Sequence, residues 1–126
     1  MNILVIPCWY PNKNSTDKLM GIYHKEFCLA LAKNKDVNVN MLYIDRQRLN
    51  APIKYLFMKK NEIIKEDGYN VYIKREFDVH RLSDKWQLNR YCKAMERAFL
   101  EYLKTNPKPD VIHAQVTVPS GYAATK

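Results

Sequence analysis

Two stretches of this chain carry residue types suited to holding a polar ligand. The first runs from Trp9 and Tyr10 through Asn12, Asn14, Ser15 and Thr16 to Gly21. The second offers His113, Gln115, Thr117, Pro119 and Gly121. Gly21 stands where a helical pattern begins, and backbone N–H groups at a helix start attract phosphate. A glycine there equally lets the helix approach the preceding strand closely; both readings stand. His113 can bind ligand hydroxyls or act as an acid or base near neutral pH. It can also be a half-buried histidine satisfied by backbone. Tyr10, like Trp9, can stack on a sugar or base, or plug the end of a strand and pack on the helix.

Other chemistries are poorly served. No G-x-G-x-x-G or G-x-x-x-x-G-K-[ST] occurs, so neither a dinucleotide fingerprint nor a P-loop is present. His24, His80 and His113 share no metal-ligand spacing with Cys8, Cys28 or Cys92, so no metal is expected. His24 falls two residues from Ile22, off the apolar helix face, and is expected in solvent. His80 lies in a connector. The cysteines cannot all pair within one chain and form no C-x-x-C, which fits inert reduced thiols and a cytosolic setting.

The elements that must position these residues follow from periodicity. Residues 2–7 are a short apolar run without polar alternation, as in a strand buried on both faces of a parallel sheet. From Leu19 to Asn34, Ile22, Tyr23, Phe27, Ala30 and Leu31 recur at helical spacing. Val37 to Ile44 reads as a second strand, completing a β-α-β unit. Residues 45–60 are ambiguous between a connector and a short amphipathic helix limited by Pro52. Asp67-Gly68 between two β-rich runs predicts a hairpin over 62–75. Ser83 or Asp84 can cap a helix reaching Thr105, with Leu88, Cys92, Met95, Phe99, Tyr102 and Leu103 on its apolar face. Pro107 and Pro109 stop it, and Asp110 to Ala114 reads as a third parallel strand. Pro119 to Ala124 then resembles the first turn of another helix. The expected fold is thus a Rossmann-like three-layer α/β/α parallel sheet with an edge hairpin, a single domain over residues 1–126.

Composition fits that picture. The 126 residues are 47% apolar, enough for one domain with a real core. A net charge of +8 favours anionic partners. No block of like charges selects among phosphates, lipid headgroups and nucleic acid. The basic and aromatic residues of 53–60 suit either an anionic membrane surface or a solvated face with core anchors. No stretch reaches the roughly 20 apolar residues needed to span a bilayer, and the start does not read as a secretory signal.

Two motifs together carry a family likeness. Trp9-Tyr10-Pro11 leads through a polar loop to Gly21-Ile22-Tyr23-His24-Lys25-Glu26-Phe27. Pro109-Asp110-Val111-Ile112-His113-Ala114-Gln115 leads to Pro119-Ser120-Gly121-Tyr122-Ala123. Both resemble the N-terminal domain of family 4 retaining glycosyltransferases of the GT-B fold. There W-Y-P precedes G-I-F-x-K-E-Q, and D-x-I-H-A-H precedes P-A-G-Y. The segment 45–108 matches in pattern only. The resemblance implies that this chain is the acceptor-side half of such an enzyme, C-terminally truncated, with the donor-binding domain and its E-x7-E glutamates absent. By position, Gly21 would lie near the donor diphosphate, and His113 and Gln115 beside the reacting sugar. Tyr10 and Thr117 complete the acceptor or sugar-binding set, and no catalytic residue is assigned. The second histidine of H-A-H is Gln115 here, which can hydrogen-bond but cannot shuttle a proton.

The resemblance further implies a nucleotide-sugar as donor substrate, a glycan or glycolipid acceptor, and no cofactor or metal. The expected setting is cytoplasmic, with peripheral contact at the inner face of an anionic membrane left open by the two readings of 53–60, and the isolated residues 1–126 are expected to be inactive. Two other classes compete. A non-catalytic flavodoxin-like binding module lacks its expected acidic cluster after the first strand. A basic nucleic-acid-binding domain explains the charge but not the strand end at His113.

Overall fold

The computed structural model describes residues 1–11, 19, 21–48, 56–78 and 83–125. Asn12, Asn14, Ser15, Thr16 and His80, and most of the ambiguous stretch after Arg48, lie outside them. The protein is a mixed α/β domain built on one five-stranded sheet. Its strands are β1 (Asn2–Ile6), β2 (Asn38–Arg48), β3 (Asn61–Lys65), β4 (Asn70–Asp78) and β5 (Val111–Ala114). The helices are α1 (Ile22–Ala32), α2 (Asp84–Leu103) and the short α3 (Tyr122–Ala124), which follows a π-helical turn at Thr117–Gly121.

The strand order is β3-β4-β2-β1-β5. β1 lies between β2 and β5 and is parallel to both, and β4 continues the parallel array beyond β2. The antiparallel β3 makes the sheet mixed and forms the hairpin at its edge. The turn is made by Asp67-Gly68, with Gly68 at φ +83° and its missing Cβ giving room to the Ala32 side chain. An Asp-Gly turn supplies the positive φ that a tight hairpin requires.

Strand alternation divides the interior in two. Val5, Val39, Met41, Tyr43, Val71 and Ile73 point to the face covered by α1. Leu4, Ile6, Leu42 and Ile44 point to the face covered by α2, against Tyr91, Ala94, Met95, Ala98 and Tyr102. Each fully buried aliphatic side chain contributes roughly 1.5–3 kcal/mol. The apolar run of β1 therefore reflects a strand sandwiched between helices. Asn40 is a buried polar residue on the α2 face, and it donates to the Tyr102 hydroxyl at 3.2 Å.

Three details differ from the periodicity. β2 runs on to Arg48, because Asp45 is buried beside Arg75 of β4 and the ladder continues through Arg48 opposite Asp78. In α1 the buried face is His24 and Cys28 flanked by Phe27 and Leu31, while Ile22, Tyr23 and Ala30 are exposed. The helix is thus rotated about its axis from the expected face. In α2 the stripe Leu88, Cys92 and Phe99 borders a groove of about 900 Å³ with Ile112 and Tyr122, and the core is carried by Tyr91, Ala94, Met95, Ala98 and Tyr102. Among the described residues no helix is long and apolar enough to cross a membrane.

Candidate functional site

The site is built where β1 and β5 end side by side. Ile6 pairs with Ala114, and the Gln115 N–H donates to the Ile6 carbonyl at 3.1 Å. From β1 the chain crosses through α1 to β2 on one side. From β4 it returns through α2 to β5 on the other side. The strand order reverses between β1 and β5, and open α/β sheets leave a crevice for ligands at the carboxyl ends of such a pair. Hydrogen bonds fix the two loops to each other. The buried Ser120 hydroxyl donates to the Pro7 carbonyl at 3.3 Å and lies 3.3 Å from the Tyr91 hydroxyl.

Gly21 is the N-cap of α1, at φ +82°. A Cβ there would lie 2.7 Å from the Trp9 carbonyl oxygen, so the helix start abuts the end of β1 only because the residue is glycine. No side chain caps this end, and no acidic residue occupies its first turn. The positive end of the helix dipole is thus uncompensated by its own side chains.

His113 is exposed and stacks on Phe27 of α1, ring centroids 4.9 Å apart. It therefore shares the α1 face of the sheet with the first turns of that helix. Gln115 follows it, half-buried, with a side-chain carbonyl that lacks a hydrogen-bond partner. Thr117 is exposed at the start of the π-helical turn. His113, Gln115 and Thr117 thus lie at or just beyond the end of β5, while Gly21 lies against Trp9 beyond the end of β1.

Tyr10 does not join them. Its ring is buried among Tyr43, Cys28 and Tyr69, and its hydroxyl donates to Glu66, which also pairs with Lys25 at 2.8 Å. Burial first, then the Glu66 hydrogen bond, pushes the phenol far above its ordinary range. Tyr10 ties the end of β1 to the hairpin, whereas its neighbour Trp9 remains 45% exposed.

His24 corrects the expectation of a solvated helix histidine, since it is fully buried. Neither ring nitrogen has a hydrogen-bond partner. Burial holds its pKa below the ordinary value; the nearby Gln115 side chain opposes this, and His113 adds to it. Gln115 is thus close enough to favour the cation, yet does not meet hydrogen-bond geometry. Gln115, whose side-chain oxygen is likewise unpartnered, is the polar group best placed to serve this imidazole. The signal for it was the i, i+3, i+7 relation of Gly21, His24 and Cys28, which places His24 on the sheet side once Gly21 touches Trp9.

The cysteines are unpaired by disulfides, and burial pushes the Cys28 thiol up to about 12, leaving it protonated. Among the described residues no three His, Cys, Asp or Glu side chains come together to hold a metal.

No family model, curated protein or solved structure matches this chain.

Proposed function

We propose that this chain forms the acceptor-side wall of a retaining, nucleotide-sugar-dependent glycosyltransferase with a Rossmann-like domain of the GT-B type. The reading is supported by the α1 start at Gly21, which abuts Trp9 beyond the end of β1, and by His113, Gln115 and Thr117 at the end of the neighbouring β5, where the strand order reverses. An uncapped helix start suits a diphosphate. The neighbouring imidazole, amide and hydroxyl suit sugar hydroxyls, because each combines donor and acceptor capacity.

In this reading Gly21 lies beside the donor diphosphate, and His113, Gln115 and Thr117 orient the sugar or its acceptor. Glutamine at 115 confines that position to binding. The charge that develops on the departing diphosphate is met by the helix end and by cations. In the family that the two motifs resemble, the acidic pair that grips the donor lies on a second domain. Residues 1–126 alone bind weakly and turn nothing over.

The test is amide chemical-shift mapping of the 15N-labelled chain with a panel of nucleotide-sugars and their diphosphates. Saturable shifts centred on Gly21, Ile22, His113, Gln115 and Thr117 are expected, with no sugar transfer. Shifts centred elsewhere, or none at millimolar ligand, would overturn the reading.

A further inference from the structure

The described residues include a protrusion that the transferase reading does not use. Leu56 and Phe57 are 78% and 86% exposed, the highest values among the large apolar side chains. Met58 is half-buried behind them, and Lys59 and Lys60 are exposed. Among the described residues neither lysine makes an ion pair. Solvent exposure of adjacent leucine and phenylalanine forgoes the burial that such side chains usually gain, so a partner for them is worth seeking.

The base of this protrusion is held firmly. Arg75 of β4 is buried, and its guanidinium donates to the Lys59 carbonyl at 2.7 Å while its backbone N–H donates to the Lys60 carbonyl at 2.7 Å. The same guanidinium pairs with Asp45 at 3.2 Å and with Glu62 at 2.5 Å. A buried ion pair costs desolvation and gains little net stability, so its clearest return is a fixed geometry. Here the geometry fixed is the approach to β3 at Lys59 and Lys60, which directly follow the exposed Leu56 and Phe57 in the chain.

We propose that residues 56–60 dock this protein on an anionic lipid surface, Leu56 and Phe57 entering the interface while Lys59 and Lys60 meet headgroup phosphates. Apolar tips beside lysines combine the two terms that hold a peripheral segment on a membrane. A second copy of the chain is a poorer partner, because it brings the same lysines and the same net charge of +8. Nucleic acid would engage the lysines but would leave Leu56 with nothing to bury against. The proposal is independent of sugar transfer, and a chain that binds vesicles but no nucleotide-sugar still satisfies it.

Co-sedimentation with phosphatidylglycerol-rich and pure phosphatidylcholine vesicles tests it. Binding is expected only to the anionic vesicles and should weaken as salt rises. Removing each lysine charge should cost about fivefold, so Lys59→Gln with Lys60→Gln loses about 25-fold. Leu56→Ser with Phe57→Ser should lose at least about tenfold. Lys33→Gln with Lys35→Gln, in the exposed segment after α1, should change binding less than about twofold if the site is local. All six positions are exposed, so each variant should fold, and circular dichroism checks this. Absence of vesicle binding overturns the proposal. So does equal loss in the 33/35 control, insensitivity to the 56/57 change, or self-association that depends on Phe57.

Discussion

Gly21→Ala is the sharpest test of the geometry at the start of α1. Gly21 has φ +82°, and a Cβ there would lie 2.7 Å from the Trp9 carbonyl oxygen and 3.1 Å from Trp9 Cβ. The left-handed backbone alone costs a residue with a side chain about 1–2 kcal/mol. The contact adds to this, because a main-chain carbonyl cannot swing aside as a flexible side chain can. Either α1 or the end of β1 must shift, and overpacking of that kind costs about 1–3 kcal/mol. The total is about 2–5 kcal/mol, which at roughly 4 °C per kcal/mol lowers the melting temperature by roughly 8–20 °C. Gly21→Asn separates the two contributions. Asparagine enters the left-handed region more readily but carries the same Cβ, so it should recover part of the first cost and none of the second. Thermal melts of the three proteins, followed by circular dichroism, decide the matter. An alanine variant melting within about 2 °C of the parent would refute the close approach of α1 to Trp9.

Two pH-linked predictions follow from groups packed beneath α1. Burial pushes the Glu66 carboxyl up, but hydrogen bonds from Lys25 and Tyr10, with the Lys25 charge, bring it below the ordinary value. A depressed acid stabilises the fold above the carboxylate range and loses that contribution as pH falls through its folded value. Glu66→Gln should therefore cost about 1–3 kcal/mol at neutral pH, with the gap closing below about pH 4. Urea denaturation at pH 7 and pH 3.5 checks this, and a gap of constant size would count against the network. For His24, burial leads the depression, so the folded state binds its proton less readily than the unfolded chain. Stability should fall as pH drops below about 6.5, the ordinary histidine value. His24→Leu removes two unpaired nitrogens and should be neutral to about 2 kcal/mol stabilising at pH 7, and more favourable at pH 5. A clear loss of stability at both values would mean the imidazole is satisfied after all.

The strands and their order of appearance were legible because β1 and β2 carry apolar residues that become the core, while the short β5, although largely exposed, was marked off by Pro107 and Pro109 before it. Asp67-Gly68 announced the hairpin, since few dipeptides tolerate the positive φ observed at Gly68. The orientation of the helices was less legible. The apolar residues of α1 spread widely enough that Ile22 and Tyr23 suggested a core face, yet both are exposed. What turns the helix is a tertiary contact, the abutment of Gly21 on Trp9, and periodicity contains no record of it. The extension of β2 through Asp45 was hidden for a related reason. A polar residue ends a strand pattern unless its partner is known, and that partner, Arg75, lies 30 residues away.

At the candidate site, sequence position separated His113, Gln115 and Thr117 from the core but misjudged Tyr10 and His24. Tyr10 follows a strand end just as Trp9 does, and only the hairpin's Glu66 decides which of the two rings turns inward.

The two readings of Gly21, as a packing residue and as a phosphate-binding one, share a single physical cause. Serine, threonine, asparagine or aspartate at an N-cap would place a side-chain oxygen over the first N–H groups and satisfy one of them. Each would also bring the Cβ that the Trp9 carbonyl excludes. A helix that must abut β1 this closely therefore has to begin without a side-chain cap, and α1 does. With no acidic residue in its first turn, its positive end has no carboxylate of its own to offset it. Close packing thus leaves an anion-favouring helix end as its by-product, and the proposed diphosphate contact would draw on that end without any further residue to create it.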